Sequence, residues 1–262
     1  MRSRLRSASA RRPCSGCWPG VSAGSAGAVM PPTVPKWNTL PTCVVTLASW
    51  KRVTVPASYG VAHIPGALSV QDAGALGLAG TAALDSVNAV DPQKDETVLV
   101  SGATGGVGAL AVQIAAARGA KAIATARPGA EAAFVTDLTD AEVHLVDFTG
   151  DLDAQIRTLA PGGVDAVLHL AGDGAQLAGL LRPGGRIAST LGFGPDAVEG
   201  QDVTAHSVMA APNARTLTAL AEDAASGVLR VPVTATYPLE RAPDAFASFA
   251  SGALGKLAIT CA

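Results

Sequence analysis

The sequence predicts an α/β protein built on a doubly wound parallel sheet, and three observations support that prediction. Short apolar runs of strand length alternate with segments of helical periodicity between about Asp72 and Thr260. The runs are apolar throughout, as expected for strands that are buried on both faces of a sheet. Hydrophobic residues make up 48% of the 262 residues and charged residues 15%, which favours a globular protein over a disordered one.

A strand, a glycine-rich turn and a helix are predicted between Glu96 and Gly119. The segment "ETVLVSG" is a short apolar run with charge before it and glycine after it. In "GGVGALAVQIAAARGA" the apolar residues, among them Val107, Leu110 and Ile114, recur at helical spacing. Gly119 follows the last of them and is expected to terminate the helix.

Further elements are predicted on both sides of this unit. "DAGALGLAGTAALDSVNAV", which starts at Asp72, is expected to form a helix or a helix pair that ends near Asp91. More strands are expected at 121–127, 141–147, 162–172 and 184–192, each followed by a turn or a helical pattern. The segment "DVTAHSVMA" then precedes a helix in "NARTLTALAEDAASG", a strand in "VPVTATY", a helix in "APDAFASFASG" and a strand in "KLAIT".

The glycines after the first strand fit two patterns of dinucleotide-binding folds. Gly102, Gly105 and Gly108 form G-x-x-G-x-x-G, whereas Gly102, Gly106 and Gly108 form G-x-x-x-G-x-G. Such spacing indicates phosphate binding when it joins a strand to a helix. Gly102 would permit a tight turn, Gly105 would let the backbone approach a pyrophosphate, and Gly108 would let the helix pack close to the strand. The pyrophosphate is then expected at the positive end of the helix dipole.

The two glycine patterns belong to enzymes with different catalytic groups. The short-chain dehydrogenase pattern requires a Tyr-x-x-x-Lys pair for proton transfer. The chain has two tyrosines, Tyr59 and Tyr237, and the residues four positions after them are His63 and Arg241. The pair is therefore absent from this sequence, which favours the G-x-x-G-x-x-G interpretation.

Several segments together resemble the medium-chain dehydrogenase/reductase superfamily, and within it the zinc-free quinone oxidoreductase-like branch with its A-x-G-G-V-G signature. They are "ETVLVSGATGGVGALAVQIAAARGAKAIATA", "GVDAVLHLAG", "LLRPGGRIASTLG", "LERAPDAFASFASGALGKLAI" and "LGLAGTAALDSV". Each lies at the place expected for the family, and the resemblance covers about Asp72 to Thr260. It implies a Rossmann nucleotide domain and a GroES-like β-barrel substrate domain.

The end of the second strand indicates which dinucleotide would be bound. Sites for NAD usually place an acid there for the ribose hydroxyls, whereas NADP sites favour a nearby arginine. Here the strand ends in "ATARPGA", with Arg127 at the corner and no acid until Glu131. We therefore expect NADP(H), with Thr125, Ala126 and Arg127 around the ribose.

The resemblance places the nicotinamide near the ends of the first, fourth and fifth strands. The cofactor would carry the chemistry and the protein would position it, so no catalytic residue is assigned. Thr81 lies near the family's nicotinamide-contacting threonine, with Ala82 as the alternative. The expected cofactor-binding residues are Gly102, Thr104, Gly105, Gly106, Val107, Gly108, Thr125, Ala126, Arg127, Leu170, Ala171, Gly172, Leu191, Gly192 and Phe193.

No metal site is expected. Zinc-dependent relatives hold their catalytic metal with a Cys, a Gly-His-Glu motif and a further Cys or His, and this sequence contains no Gly-His-Glu. The C-x-x-C at Cys14 and Cys17 has no second pair at zinc spacing. The histidines stand singly among mainly apolar residues and are expected to be structural; they are His63, His144, His169 and His206.

The first part of the chain differs from the rest. No Asp or Glu precedes Asp72, whereas that stretch contains eight Lys or Arg residues. Its Arg, Ser, Gly and Pro residues form neither an amphipathic transit helix nor the apolar region of a secretory signal. Residues 1–48 are therefore expected to be disordered or non-native, from a misplaced start or a frameshift. Residues 49–71 and 231–262 are expected to be a remnant of the substrate domain, and 72–230 the NADP-binding domain.

These features predict an NADP(H)-dependent, zinc-independent oxidoreductase that transfers hydride to a small quinone or enone. Two alternatives stay open: an NADP(H)-binding remnant or interaction module with impaired catalysis, and an enoyl-reductase piece of a larger synthase. The scattered basic residues argue against nucleic-acid binding. No apolar run approaches the roughly 18 residues that span a bilayer, so no transmembrane helix is expected. The protein is expected to be cytoplasmic. Relatives are often dimers through the nucleotide domain, which leaves a homodimer open by analogy.

Overall fold

The computed structural model describes residues 60–261. The expectations for 1–48 and for 49–59, the first part of the predicted segment 49–71, therefore lie outside the described residues. The helices are α1 (Val70–Val90), α2 (Gly108–Ala117), α3 (Ala130–Thr136), α4 (Leu152–Leu159), α5 (Gly174–Ala178), α6 (Ala214–Ala225) and α7 (Ala242–Ala250). The strands are β1 (Thr97–Ser101), β2 (Lys121–Thr125), β3 (Val143–Val146), β4 (Val164–His169), β5 (Leu181–Ser189), β6 (Val203–Ser207), β7 (Val233–Pro238) and β8 (Lys256–Thr260).

Six strands form one parallel sheet in the order β3-β2-β1-β4-β5-β6. The chain thus runs outward from β1 to one edge and then from β4 to the other, which is the doubly wound order. Side chains that alternate along a strand enter two separate cores: Val98 and Val100 pack with α1, α2 and α6, and Leu99 packs with α4 and α5. The predicted α/β class and parallel sheet are confirmed.

The first helical segment forms one helix and not a pair. Ser69 caps its start by accepting a hydrogen bond from the backbone N–H of Asp72, and Asp91 ends it in the left-handed region. The internal glycines do not interrupt α1, and one of them, Gly80, lies where another helix packs. A Cβ on Gly80 would lie 3.0 Å from Leu220 of α6, so glycine brings the two helices close together.

Strand β5 begins at Leu181, earlier than the predicted start at 184. Leu181 pairs with Val164 of β4, and the register shifts before Ala166 pairs with Arg186. This irregularity accommodates Pro183 inside the strand, because a proline cannot donate a hydrogen bond to a regular ladder. The pairing partner, and not the local sequence, sets where this strand begins.

The last two strands form a second, two-stranded parallel sheet, with α7 between them in the chain. This unit is tied to the glycine turn after β1. The N–H of Gly255 donates to the carbonyl oxygen of Thr104 at 2.8 Å, and Gly255 forms an isolated parallel bridge with Gly105. The segment between α7 and β8 therefore lies against the glycine turn. Within residues 60–261, none of the helices combines the length and the apolar character needed to cross a bilayer.

Candidate cofactor site

Two glycines of the turn are required by the fold itself. Gly102 follows β1 with a φ of +76°, and a Cβ there would lie 2.9 Å from the Cβ of Ala171. A Cβ on Gly108 would lie 2.1 Å from the carbonyl oxygen of Gly102 and 2.7 Å from the Cα of Ala103. Helix α2 can start this close to β1 only with glycine at position 108.

Gly105 is different, because nothing in the protein requires glycine at that position. Its φ lies outside the left-handed region, and a Cβ would come no closer than 3.5 Å to another atom, the carbonyl oxygen of Gly102. The backbone at Gly105 is therefore open to a ligand. Helix α2 begins just after it with no side-chain cap, so no side chain of the N-cap residue accepts from the backbone N–H groups at its start. This arrangement suits an anion.

Lys256, the first residue of β8, lies over the same turn and is absent from the sequence-based site. A Cβ on Gly106 would lie 2.1 Å from its Cδ atom. Within residues 60–261 no carboxylate forms an ion pair with its ammonium group, and burial lowers its pKa. An unpaired, half-buried cation beside a helix N-terminus strengthens the site for an anion. Sequence could not place it there, because the contact depends on the bridge between Gly105 and Gly255.

A cavity of about 300 Å³ opens beside the glycine turn at the carboxyl ends of β1, β2 and β4. Five of the predicted cofactor residues line it: Gly102, Thr104, Thr125, Ala171 and Gly172. The remaining lining residues are Ser101, Phe148, Leu152, Asp173, Gln176 and Leu177. The carboxyl edge of a parallel sheet, where the strand order reverses, is the usual ligand site of doubly wound folds.

A second cavity, of about 340 Å³, lies where α1 approaches the ends of β5 and β6. Val107 and Lys256 line it, together with Leu78, Ala79, Ala82, Thr190, Val208, Met209 and Ala210. Ala82 thus faces a cavity, whereas Thr81 is fully buried and its hydroxyl donates to the carbonyl oxygen of Gly77. Lys256 is the only ionisable side chain in this lining.

At the end of β2, the structure places an acid where the sequence indicated only an arginine. Glu131, in the first turn of α3, accepts hydrogen bonds from the backbone N–H of Arg127 at 2.7 Å and from its Nε at 2.8 Å. The hydrogen bond from the Arg127 side chain holds the pKa of Glu131 below its usual range. The Arg127 guanidinium also lies 5.9 Å from the centre of the Phe148 ring. Glu131 was not expected in the site because it lies four residues after Arg127 in the sequence. The turn before α3 brings its carboxylate back to Arg127.

The other residues of this corner hold the turn together. The hydroxyl oxygen of Thr125 accepts from the N–H of Gly102 at 2.9 Å, and the N–H of Ala126 donates to the carbonyl oxygen of Val146 at 2.9 Å. The predicted residues outside both cavity linings are Gly105, Gly106, Gly108, Ala126, Arg127, Leu170, Leu191, Gly192 and Phe193.

The described part of the chain contains no group of three or more His, Cys, Asp and Glu side chains arranged to hold a metal ion. The three histidines that follow His63 lie on three different strands: His144 on β3, His169 on β4 and His206 on β6.

Comparisons with known proteins agree with this architecture. A family model described as a zinc-binding dehydrogenase matches residues 131–259. The spectinabilin polyketide synthase system protein NorB of Streptomyces orinoci is 39% identical over 181 residues, which cover 63% of this chain and 8% of that protein. The quinone oxidoreductase of Coxiella burnetii superposes with a TM-score of 0.66 at 26% identity, over 74% of this chain and 62% of its own. CurK enoyl reductase superposes with a TM-score of 0.65 at 25% identity, over 76% of this chain and 64% of its own.

The sheet order, the glycine turn and the open start of α2 define a Rossmann-type nucleotide-binding domain. The chain belongs to the medium-chain dehydrogenase/reductase superfamily, a group of pyridine-nucleotide oxidoreductases. It spans less than two thirds of the two solved relatives and under a tenth of NorB.

Proposed function

We propose that the protein binds NADP(H) at the glycine turn and reduces a quinone or an activated alkene without a metal ion. The observation that carries the proposal is the open cradle at Gly105, with the uncapped start of α2 on one side and the Lys256 side chain over the adjacent Gly106 on the other. Backbone N–H groups and an unpaired cation together bind a pyrophosphate. The predicted nucleotide domain, 72–230, and the C-terminal segment, 231–262, would both contribute to it.

Two groups of residues would bind the two halves of the cofactor. The cavity beside Gly102, Thr125 and Phe148 would receive the adenosine half, and Arg127 would lie next to its ribose. The cavity lined by Val107, Thr190 and Lys256 would receive the nicotinamide and the acceptor, and its mostly apolar lining would keep water away from them. When bound, the reduced nicotinamide supplies a hydride to the electron-poor carbon of the acceptor. The remaining proton would come from solvent or from Lys256.

An activated alkene is the acceptor class that the comparisons favour. One solved relative is named an enoyl reductase and another a quinone oxidoreductase, and NorB belongs to a polyketide synthase system. Enones and enoyl thioesters share a carbon–carbon double bond that is polarised by a neighbouring carbonyl. Both therefore accept hydride at the same kind of carbon.

The proposal is tested by titrating the protein with NADPH and NADH and then measuring turnover on small quinones, enones and enoyl thioesters. We expect saturable NADPH binding and slow oxidation of NADPH in the presence of an enone. Binding without turnover on any acceptor would instead support a nucleotide-binding module with impaired catalysis. Tighter binding of NADH than of NADPH would contradict the NADP(H) assignment.

Removing the charge of Lys256 is expected to weaken NADPH binding. Lys256→Met keeps an aliphatic chain against Gly106 but removes the cation, so the dissociation constant should rise by about tenfold and depend less on salt. Thermal stability should not fall, because the lost ammonium group is desolvated and unpaired in the free protein. Lys121→Met, at the exposed start of β2, is the matched control and should leave binding unchanged. Equal effects of both variants would show that Lys256 is not part of the site.

The ion pair between Arg127 and Glu131 is expected to tune the choice of dinucleotide. Arg127→Ala should weaken NADPH binding by about tenfold and leave NADH binding unchanged, because only NADPH carries a 2′-phosphate. Glu131→Gln should act in the opposite direction, since it frees the guanidinium from its charged partner. Arg157→Ala, which removes a similar i,i+4 pair with Asp153 on α4, is the control. Parallel losses of NADPH and NADH affinity in Arg127→Ala would contradict a role in discrimination.

A further inference from the structure

His169 is a buried histidine that the proposed function has not used. It is the last residue of β4 and only 3% exposed. In the sheet it is flanked by Ser101 of β1 and by Ser189 of β5, its register partners. It therefore lies at the carboxyl edge of the sheet, between two loops of expected cofactor-binding residues. These are residues 170–172 after β4, of which Ala171 and Gly172 line the cavity beside Gly102, and residues 191–193 after β5.

The hydrogen bonds of His169 determine its tautomer. Its Nε2 lies 3.1 Å from the carbonyl oxygen of Gly172. A carbonyl oxygen can only accept, so Nε2 must carry the hydrogen. In the neutral ring Nδ1 is then an acceptor, and the hydroxyl of Ser189, 3.0 Å away, must donate to it. The structure thus assigns the neutral Nε2–H form.

Ser189 continues this chain of hydrogen bonds into the second loop. Its hydroxyl oxygen accepts from the backbone N–H of Leu191 at 3.0 Å and from that of Phe193 at 3.3 Å. Both lone pairs of the oxygen are therefore occupied, and its single hydrogen is directed at His169. The His169 ring also meets the Phe193 ring edge to face, with centroids 6.0 Å apart. One buried imidazole thus links Gly172 in the first loop to Leu191 and Phe193 in the second.

We infer that His169 is a positioning residue that, as the neutral Nε2–H tautomer, joins through Ser189 the two loops of expected cofactor-binding residues and holds them in place for NADPH. The inference rests on the proposed cofactor site. His169 lines neither cavity, so it acts through the loops and not on the reacting atoms.

The test compares the NADPH dissociation constants of variants of this hydrogen-bonded chain at pH 8. His169→Asn places an amide oxygen near the position of Nδ1, where it can accept from Ser189, but the shorter side chain lacks the Nε2–H that donates to Gly172. Ser189→Ala removes the link while keeping the histidine. His144→Asn, on β3, is the control for loss of a strand histidine.

At pH 8 we expect His169→Asn and Ser189→Ala each to bind NADPH about tenfold more weakly than the wild type, because each breaks the link between the two loops. His144→Asn should bind within about threefold of the wild type. Nitrogen-15 NMR of the imidazole should find the hydrogen on Nε2 in the free protein. An Nδ1–H ring, or wild-type NADPH affinity in both His169→Asn and Ser189→Ala, would overturn the inference. If the wild type binds neither dinucleotide, the proposed function fails, and the NMR result alone decides the tautomer.

Discussion

Replacing Gly105 by alanine is expected to weaken NADPH binding by at least about tenfold while leaving the free protein as stable as the wild type. The free protein has room for the new methyl group, because its nearest contact would be an ordinary one of 3.5 Å to the carbonyl oxygen of Gly102. The backbone at Gly105 also needs no positive φ. The methyl group would instead occupy the space over the start of α2, where the pyrophosphate is proposed to bind.

Titration with NADPH and a thermal melt of the free protein measure the two halves of this prediction. Gly108→Ala is the contrasting variant, because its methyl group would lie 2.1 Å from the carbonyl oxygen of Gly102. It should destabilise the protein by about 2 to 4 kcal/mol. Gly74→Ala, at an exposed site of α1 with nothing within 4 Å, should be neutral or slightly stabilising. If Gly105→Ala binds NADPH like the wild type, the pyrophosphate does not rest on this turn.

The second large effect is expected near the amino ends of the strands, opposite the glycine turn, where four charged side chains lie close together. Glu96, just before β1, pairs with Arg186 of β5, and Asp165 of β4 pairs with Arg182. The carboxylate of Glu96 also accepts from the N–H of Gln93 at 2.8 Å. The Glu96 and Arg186 side chains are 17% and 25% exposed, so their pair is only partly screened by water. Glu96→Gln should therefore lower the free energy of unfolding at pH 7 by about 2 kcal/mol.

The same pair predicts the direction of the pH dependence. Burial raises the pKa of Glu96, but hydrogen bonds from Arg186 and from the Gln93 N–H outweigh it, so the pKa lies below the ordinary 4.5. A carboxyl group with a lowered pKa in the folded state stabilises the protein above its unfolded-state pKa. That contribution is lost as the pH falls through the folded-state value. The stability difference between the wild type and Glu96→Gln should thus be complete at pH 7 and shrink below about pH 4.5.

Urea unfolding at several pH values measures this difference. Asp153→Asn, which breaks an exposed pair with Arg157, is the control and should cost no more than about 0.5 kcal/mol. NADPH binding to folded Glu96→Gln should be unchanged, because the cluster lies at the opposite ends of the strands from the glycine turn. A stability difference that persists unchanged to pH 3 would show that ionisation of Glu96 does not contribute.

Most of the fold could be predicted from the sequence because its signals are local. Apolar runs with no polar alternation indicate strands buried on both faces, and β1, β2 and β4 lie within the predicted segments. The glycine turn was recognisable for the same reason, since the positive φ of Gly102 and the close contacts of Gly108 with Gly102 and Ala103 all belong to one strand-turn-helix unit. Where local signals were ambiguous, as in α1 and at the start of β5, packing against α6 and pairing with β4 set the outcome.

The sequence by itself determined the α/β class, the order of the elements and the turn where a dinucleotide is proposed to bind, because each depends on residues close together in the chain. Only the tertiary structure brought Lys256 onto Gly106, turned Glu131 back onto Arg127 and linked His169 through Ser189 to Leu191. The contacts of Lys256 and His169 join residues far apart in sequence, and that of Glu131 depends on how one turn folds. Parallel strands bring His169 and Ser189 together because each crossover returns the chain to the same side of the sheet, so that both strands end there.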